Sequence, residues 1–150
     1  MTQLFNCIHS ITIEFSNGQF YAYSKSQLPP IFSWTGVGPL YIASKNNTDK
    51  LAEIIGTVQS NSKVREQIIP DEKGKEFSDE EAALLEKTTK LWTIDWEENG
   101  KAYLTIWEPF PKTETVQYMG KAWRPVKNSE IKFSPSDGFK DIANKLIELA

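Results

Sequence analysis

The chain has 150 residues, a net charge of −3 and a pI near 5.3. This length suits one compact domain or two small units sharing a core. With 39% hydrophobic residues, five Trp, five Tyr and eight Phe, the composition excludes a disordered chain. The mild acidity argues against a nucleic-acid binder and fits a protein that meets a basic partner. The single cysteine, Cys7, excludes an internal disulfide framework and any multi-cysteine metal site. The N-terminal Met1-Thr2-Gln3-Leu4-Phe5-Asn6 lacks the basic and apolar parts of a secretory signal. No apolar run reaches the ~18 residues of a membrane helix. The expected setting is a soluble, cytoplasmic one.

In chain order, Ile11-Thr12-Ile13-Glu14-Phe15 alternates apolar and polar residues with the period of a half-buried strand. Asn17-Gly18 supplies a type I′ turn, and Phe20 to Tyr23 forms the returning strand. Pro29-Pro30 makes 24–31 a loop or frayed edge. Ile31 to Trp34 reads as a third strand, Thr35 to Pro39 as a turn, and Leu40 to Ala43 as a fourth strand. After the capping oxygens of Asn46 to Asp49, the residues Leu51, Ala52, Ile54, Ile55 and Val58 form one face of a helix that fades at Ser60-Asn61-Ser62.

Val64 to Ile69 suggests a short strand ended by Pro70. Ser78-Asp79-Glu80-Glu81 is a capping box for a short helix through Leu85. In Leu91 to Trp96, the face with Trp92, Ile94 and Trp96 is the expected buried side. Asn99-Gly100 turns the chain into Ala102 to Trp107. Further strands are expected at 115–119, 122–123 and 130–133. Ser134-Pro135 reads as the start of a closing helix, with Ile142, Ala143, Leu146, Ile147 and Leu149 as its apolar stripe.

The plan is a repeat. The two Asn-Gly turns lie 82 residues apart, while the strand-to-helix passages Leu40–Ile55 and Ile131–Leu146 lie 91 apart. The repeats run from about 8 to 62 and from 91 to 150, with an acidic insert at 63–90. The expected fold is α+β: two pseudo-repeated β-β-β-β-α units whose antiparallel sheets pack with helices about a twofold axis. Such a doubled unit resembles the Whirly-type fold.

Cys7-Ile8-His9 sets a thiol two residues from the only imidazole, as a nucleophile and base could be, but no orienting third group accompanies them. The structural alternative is a partly buried thiol and a surface histidine. Asp95, Glu97 and Glu98 could form an acid–base pair; at a hairpin end they fit a solvated cluster better. Gly36-Val37-Gly38 precedes a strand and is a turn rather than a phosphate loop. Between Asp71 and Glu86 stand seven acids and two lysines. Asp79 and Glu80 complement a helix dipole. Asp71, Glu72 and Glu76 lack that reason and suit a cationic partner surface. The aromatics Trp34, Trp92, Trp96, Trp107, Trp123, Tyr103 and Tyr118 could stack bases if they faced outward, although core or interface roles are commoner.

Two segments carry a family resemblance. One joins Tyr23-Ser24-Lys25-Ser26, Gly36 to Leu40, Asp49 to Ile55 and Gln59 to Ser62; the other joins Ile131 to Ser134 and Phe139 to Leu146. Together they resemble immunity proteins of bacterial contact-dependent growth inhibition systems. The resemblance implies a non-catalytic, cytoplasmic protein without cofactor or metal. Its partner is the C-terminal toxin domain delivered by a neighbouring cell, commonly a nuclease with a basic cleft. Asp71, Glu72, Glu76, Asp79, Glu80, Asp95, Glu97 and Glu98 are then the expected toxin-binding acids. No membrane or direct nucleic-acid contact is expected. The alternative is a single-stranded nucleic-acid-binding protein of Whirly-like fold.

Overall fold

The computed structural model describes residues 7–28, 33–64, 77–109 and 123–150. Its elements are β1 (Cys7–Ser16), β2 (Gln19–Leu28), β3 (Ser33–Ser44), α1 (Thr48–Asn61), α2 (Asp79–Glu86), β4 (Lys90–Glu97), β5 (Ala102–Pro109), β6 (Trp123–Pro125), β7 (Ile131–Phe133) and α3 (Phe139–Leu149). The class is α+β. The seven described strands form one antiparallel sheet in the order β3-β2-β1-β4-β5-β6, with β7 also pairing β5. One continuous sheet therefore replaces the expected two. The junction is the β1–β4 pair, which runs almost the full length of both strands and makes them the centre of the molecule. The expected strands at 64–69 and 115–119 lie mostly or wholly outside the described residues.

The first hairpin closes as its sequence dictates. Asn17 (φ 50°) and Gly18 (φ 77°) both occupy the left-handed region that a type I′ turn requires. The second turn is one residue longer: Glu97 N–H donates to Lys101 O, leaving Glu98, Asn99 and Gly100 in the loop, with Gly100 at φ 91°.

β2 runs to Leu28 rather than fraying at residue 24, because Lys25 to Leu28 pair with Gly36 to Ser33. The same pairing converts the expected turn at 35–39 into strand. β3 is continuous, and its surplus residues form a bulge opposite Tyr23, between the Ala22–Tyr41 and Ser24–Val37 pairs. The Tyr23 ring lies where a side chain at Gly36 would stand, 3.0 Å from an added Cβ.

Helix α1 starts where Asn47 Oδ1 accepts the Lys50 N–H (3.0 Å) and buries Leu51, Ile54, Ile55 and Val58. Helix α3 starts four residues later than Ser134-Pro135 implies. Asp137 Oδ2 accepts the Ser134 N–H (2.7 Å) and closes a turn around Pro135, and Asp141 Oδ2 then accepts the Gly138 N–H (2.8 Å) at the true helix start. The Ser134-Pro135 signal thus belongs to a turn that precedes the helix.

Both helices lie on one face of the sheet. Ile11, Ile13, Phe20, Trp92, Ile94 and Leu104 meet Leu51, Ile55, Val58, Ile142 and Leu146 in a single apolar core. Burying each large side chain there contributes about 1.5–3 kcal/mol. The expected inward set Trp92, Ile94 and Trp96 is buried. Lys90 Nζ donates to Leu149 O (3.1 Å), placing a cation at the C-terminal end of α3. No helix among the described residues is long and apolar enough to cross a membrane.

Candidate functional site: a buried polar layer on the second face

Pairing register assigns the other face residue by residue. Lys25, Ser10 and Asp95 lie in one row across β2, β1 and β4; Tyr23, Thr12 and Thr93 form the next, and Tyr21, Glu14 and Leu91 the third. Ser10, Thr12, Glu14, Thr93 and Asp95 are all buried, so the central strands are covered on both sides.

Two carboxylates organise this layer. Asp95 is 4% exposed; its Oδ1 accepts the Ser10 hydroxyl at 2.6 Å and lies 3.8 Å from the Cys7 sulfur. Burial raises its pKa above the ordinary 3.8, and the Ser10 hydrogen bond and the nearby Lys25 charge oppose that rise. Burial in turn lowers the Lys25 pKa, with Asp95 opposing. Glu14 is 5% exposed; its Oε2 accepts the Tyr23 hydroxyl (2.8 Å) and its Oε1 the Thr88 hydroxyl (2.5 Å). Burial first, and the Glu14 charge second, push the Tyr23 phenol well above its ordinary range. Between these centres, Trp107 Nε1–H donates to Thr93 Oγ1 (2.8 Å).

The end of α1 seals one margin. Ser62 Oγ donates to Lys25 O (2.6 Å) and accepts the Ser10 N–H (2.8 Å), which wedges a side chain between β1 and β2. His9 Nδ1 lies 3.0 Å from Ser62 O, so Nδ1 carries the proton.

Cys7 and His9 do not form a catalytic pair. A bulge separates their register positions, the thiol donates to His9 O (2.8 Å), and the imidazole turns to Ser62. Burial, with the Asp95 charge second, pushes the thiol pKa up to about 12. A thiol held protonated is a poor nucleophile at neutral pH. The cysteine is buried and the histidine half-buried rather than on the surface. No group of three or more His, Cys, Asp or Glu side chains is placed to hold a metal ion among the described residues.

The expected toxin-binding acids are divided. Asp71, Glu72 and Glu76 lie outside the described residues. Asp79 and Glu80 are exposed in the first turn of α2. Glu98 is exposed in the β4–β5 turn, and Glu97, half-buried beside it, accepts the Tyr103 hydroxyl. Asp95 departs from the expected solvated cluster. It is on the same strand but points into the polar layer, where water does not reach it. Of the rings considered for base stacking, Trp92 and Trp96 belong to the apolar core; Trp34, Trp107, Trp123 and Tyr103 are half-buried. Tyr118 is outside the described residues.

Glu14, Tyr23, Lys25, Ser10 and Ser62 were not among the expected site residues, although Tyr23, Lys25 and Ser62 lie in the segments that carry the family resemblance. The available signal was the polar half of the β1 alternation, read there as solvent-facing. A strand in mid-sheet carries the same pattern when a polar layer replaces water.

No protein-family model matches the chain, and no curated protein matches it. Among solved structures, the fold is similar to that of a protein of unknown function from Neisseria meningitidis. The two share 14% identity with a TM-score of 0.61, over 98% of this chain and 97% of the other. That likeness shows a common fold across nearly the whole length of both proteins.

Proposed function

We propose that this chain is an immunity protein that binds and neutralises the toxin domain of a contact-dependent growth inhibition system, a domain with a basic, nuclease-like cleft. One observation carries the reading. Helix α2 holds four acids and no cation, and none of its side chains is buried. A helix that contributes nothing to the core while presenting Asp79, Glu80 and Glu86 to solvent is free to meet a cationic surface. Carboxylates there stand in for phosphate oxygens, and their field speeds encounter. The state of Cys7, and the hydrogen bonds that commit Asp95 to Ser10 and Glu14 to Tyr23 and Thr88, agree with binding rather than turnover. The resemblance at Asp49–Ile55 and Phe139–Leu146 supplies the partner class.

The finer description of the fold belongs to the same reading. Two pseudo-repeated units of Whirly-like topology are supported by the strand order, which is balanced about β1 and β4, and by the packing of α1 against α3. The central Thr12–Thr93 pair has Glu14 two residues beyond it on one strand and Asp95 two beyond it on the other.

Reversing Asp79 and Glu80 to Lys tests the placement. Association with the toxin domain should slow at low salt, and its salt dependence should flatten. Unchanged rates at every salt concentration would refute it. Retention of single-stranded oligonucleotides by the wild-type chain at low salt would favour nucleic acid as the ligand instead.

A further inference from the structure

We propose that Asn99 is a self-modification site: the Gly100 backbone nitrogen attacks its side-chain amide, and the chain acquires an aspartate or isoaspartate there without an enzyme. Glycine after asparagine leaves the attacking nitrogen unshielded, because no Cβ stands beside it. The chain has two such pairs, Asn17-Gly18 and Asn99-Gly100. Their turns differ in ways that select the second.

At the first turn, Asn17 (φ 50°) and Gly18 (φ 77°) are both held left-handed between the paired Ser16 and Gln19. Gly18 O also accepts the Lys45 N–H (2.8 Å), which ties the turn to the residue after β3. Bringing the Asn17 amide onto the Gly18 nitrogen rotates this peptide out of the left-handed geometry, and a two-residue hairpin has no spare residue to absorb the rotation. The second turn has one, since Glu98, Asn99 and Gly100 all lie inside the Glu97–Lys101 bond. Asn99 is outside the left-handed region, and both Asn99 and Gly100 are exposed to water.

Local hydrogen bonds supply the chemistry. Asn99 Oδ1 accepts the Lys101 N–H (2.9 Å), an Asx turn that folds the side-chain amide back along the Gly100 peptide. The same N–H polarises the Cγ=O bond and stabilises the charge that develops on Oδ1 under attack, as an oxyanion hole does. One bond holds the nucleophile back: Gly100 N–H donates to Glu97 O (2.9 Å). It lies in an exposed loop and opens by local fluctuation. Hydroxide then takes the amide proton, the Gly100 nitrogen bonds to Asn99 Cγ, and the Cγ–Nδ2 bond breaks, taking a proton from water to release ammonia. Water opens the cyclic imide at either carbonyl. Aspartate results when the new N–Cγ bond breaks, and isoaspartate when the original peptide bond breaks. Either product adds a negative charge beside Glu97 and Glu98. Isoaspartate also adds a carbon to the main chain, next to where a Cβ on Gly100 would stand 3.2 Å from Pro135 Cβ.

Incubation in mildly alkaline buffer with and without urea, followed by peptide mass mapping and an isoaspartate methyltransferase assay, tests this. In the folded chain residue 99 should convert at least about tenfold faster than residue 17. Urea abolishes both turns and should erase that difference, accelerating Asn17 but not Asn99. Asn99→Gln, whose side chain must close a larger ring, should leave the folded chain without isoaspartate. Conversion at residue 99 that is slower in the folded chain than in urea, or that residue 17 matches in the folded chain, overturns the proposal. Isoaspartate at the wild-type level in Asn99→Gln overturns it too.

Discussion

The two faces of the central strands are buried to the same extent by opposite chemistries. Toward α1 and α3, β1 and β4 present Ile11, Ile13, Trp92, Ile94 and Trp96. Toward the second face the same strands present Ser10, Thr12, Glu14, Thr93 and Asp95, equally hidden from water. The first face is held by non-directional burial, which tolerates small shifts. The second is held by hydrogen bonds to two carboxylates, which fix register and fail if one partner is lost. Burial alone therefore says little about which groups are available for function. The groups with the richest chemistry are committed internally, whereas the exposed Asp79 and Glu80 stand on a helix that buries none of its side chains.

This contrast can be broken first on the apolar side. Trp92→Ala removes a 1%-exposed ring that packs against Phe15 and Phe20 and should lower unfolding stability by about 3–5 kcal/mol in urea titration. A loss below about 1 kcal/mol would show that the helix-covered face is not the main source of stability. On the polar side, Asp95→Ala strands the Ser10 hydroxyl and should cost about 1–3 kcal/mol.

Asp95→Asn sharpens the comparison through pH. The folded-state pKa of Asp95 is raised above 3.8, so between 3.8 and that raised value the folded chain binds more protons than the unfolded one. The stabilisation linked to this proton is full below 3.8 and is lost as pH rises through the raised value. Asparagine does not titrate. The stability advantage of wild type over Asp95→Asn should accordingly be largest in acid and shrink toward neutrality. A constant difference across that range would mean that Asp95 is solvated.

The smallest expected effect is on thiol chemistry. With its pKa pushed up to about 12, Cys7 should react with a disulfide reagent at pH 8 only after denaturant is added. Rapid labelling of the folded chain would place the thiol at the surface.

Much of the architecture was legible because short-range physics fixed it. The Asn17-Gly18 turn, the Asn47-capped α1, the Ser78 capping box and the inward set on β4 follow from turn geometry, capping oxygens and period-2 alternation. The errors arose where long-range pairing overrode local preference. Lys25 to Leu28 became strand because Ser33 to Gly36 pair with them, which the adjacent prolines did not reveal. Ser134-Pro135 looked like a helix start until the Asp137 carboxylate captured the Ser134 N–H. The polar layer was the least legible part. Thr12, Glu14 and Asp95 read as solvent-facing, since alternation reports which residues share a face and not what covers it. Of the candidate site, Asp79, Glu80 and Glu98 were placed correctly on the surface, whereas Asp95 was not.

The most direct test is a titration of toxin activity. Under the proposed function, the cognate toxin domain should lose its activity in proportion to added chain and be silent at one equivalent. Complete inactivation by a small fraction of an equivalent would reveal turnover, and undiminished activity at excess would remove the partner; either result contradicts the account.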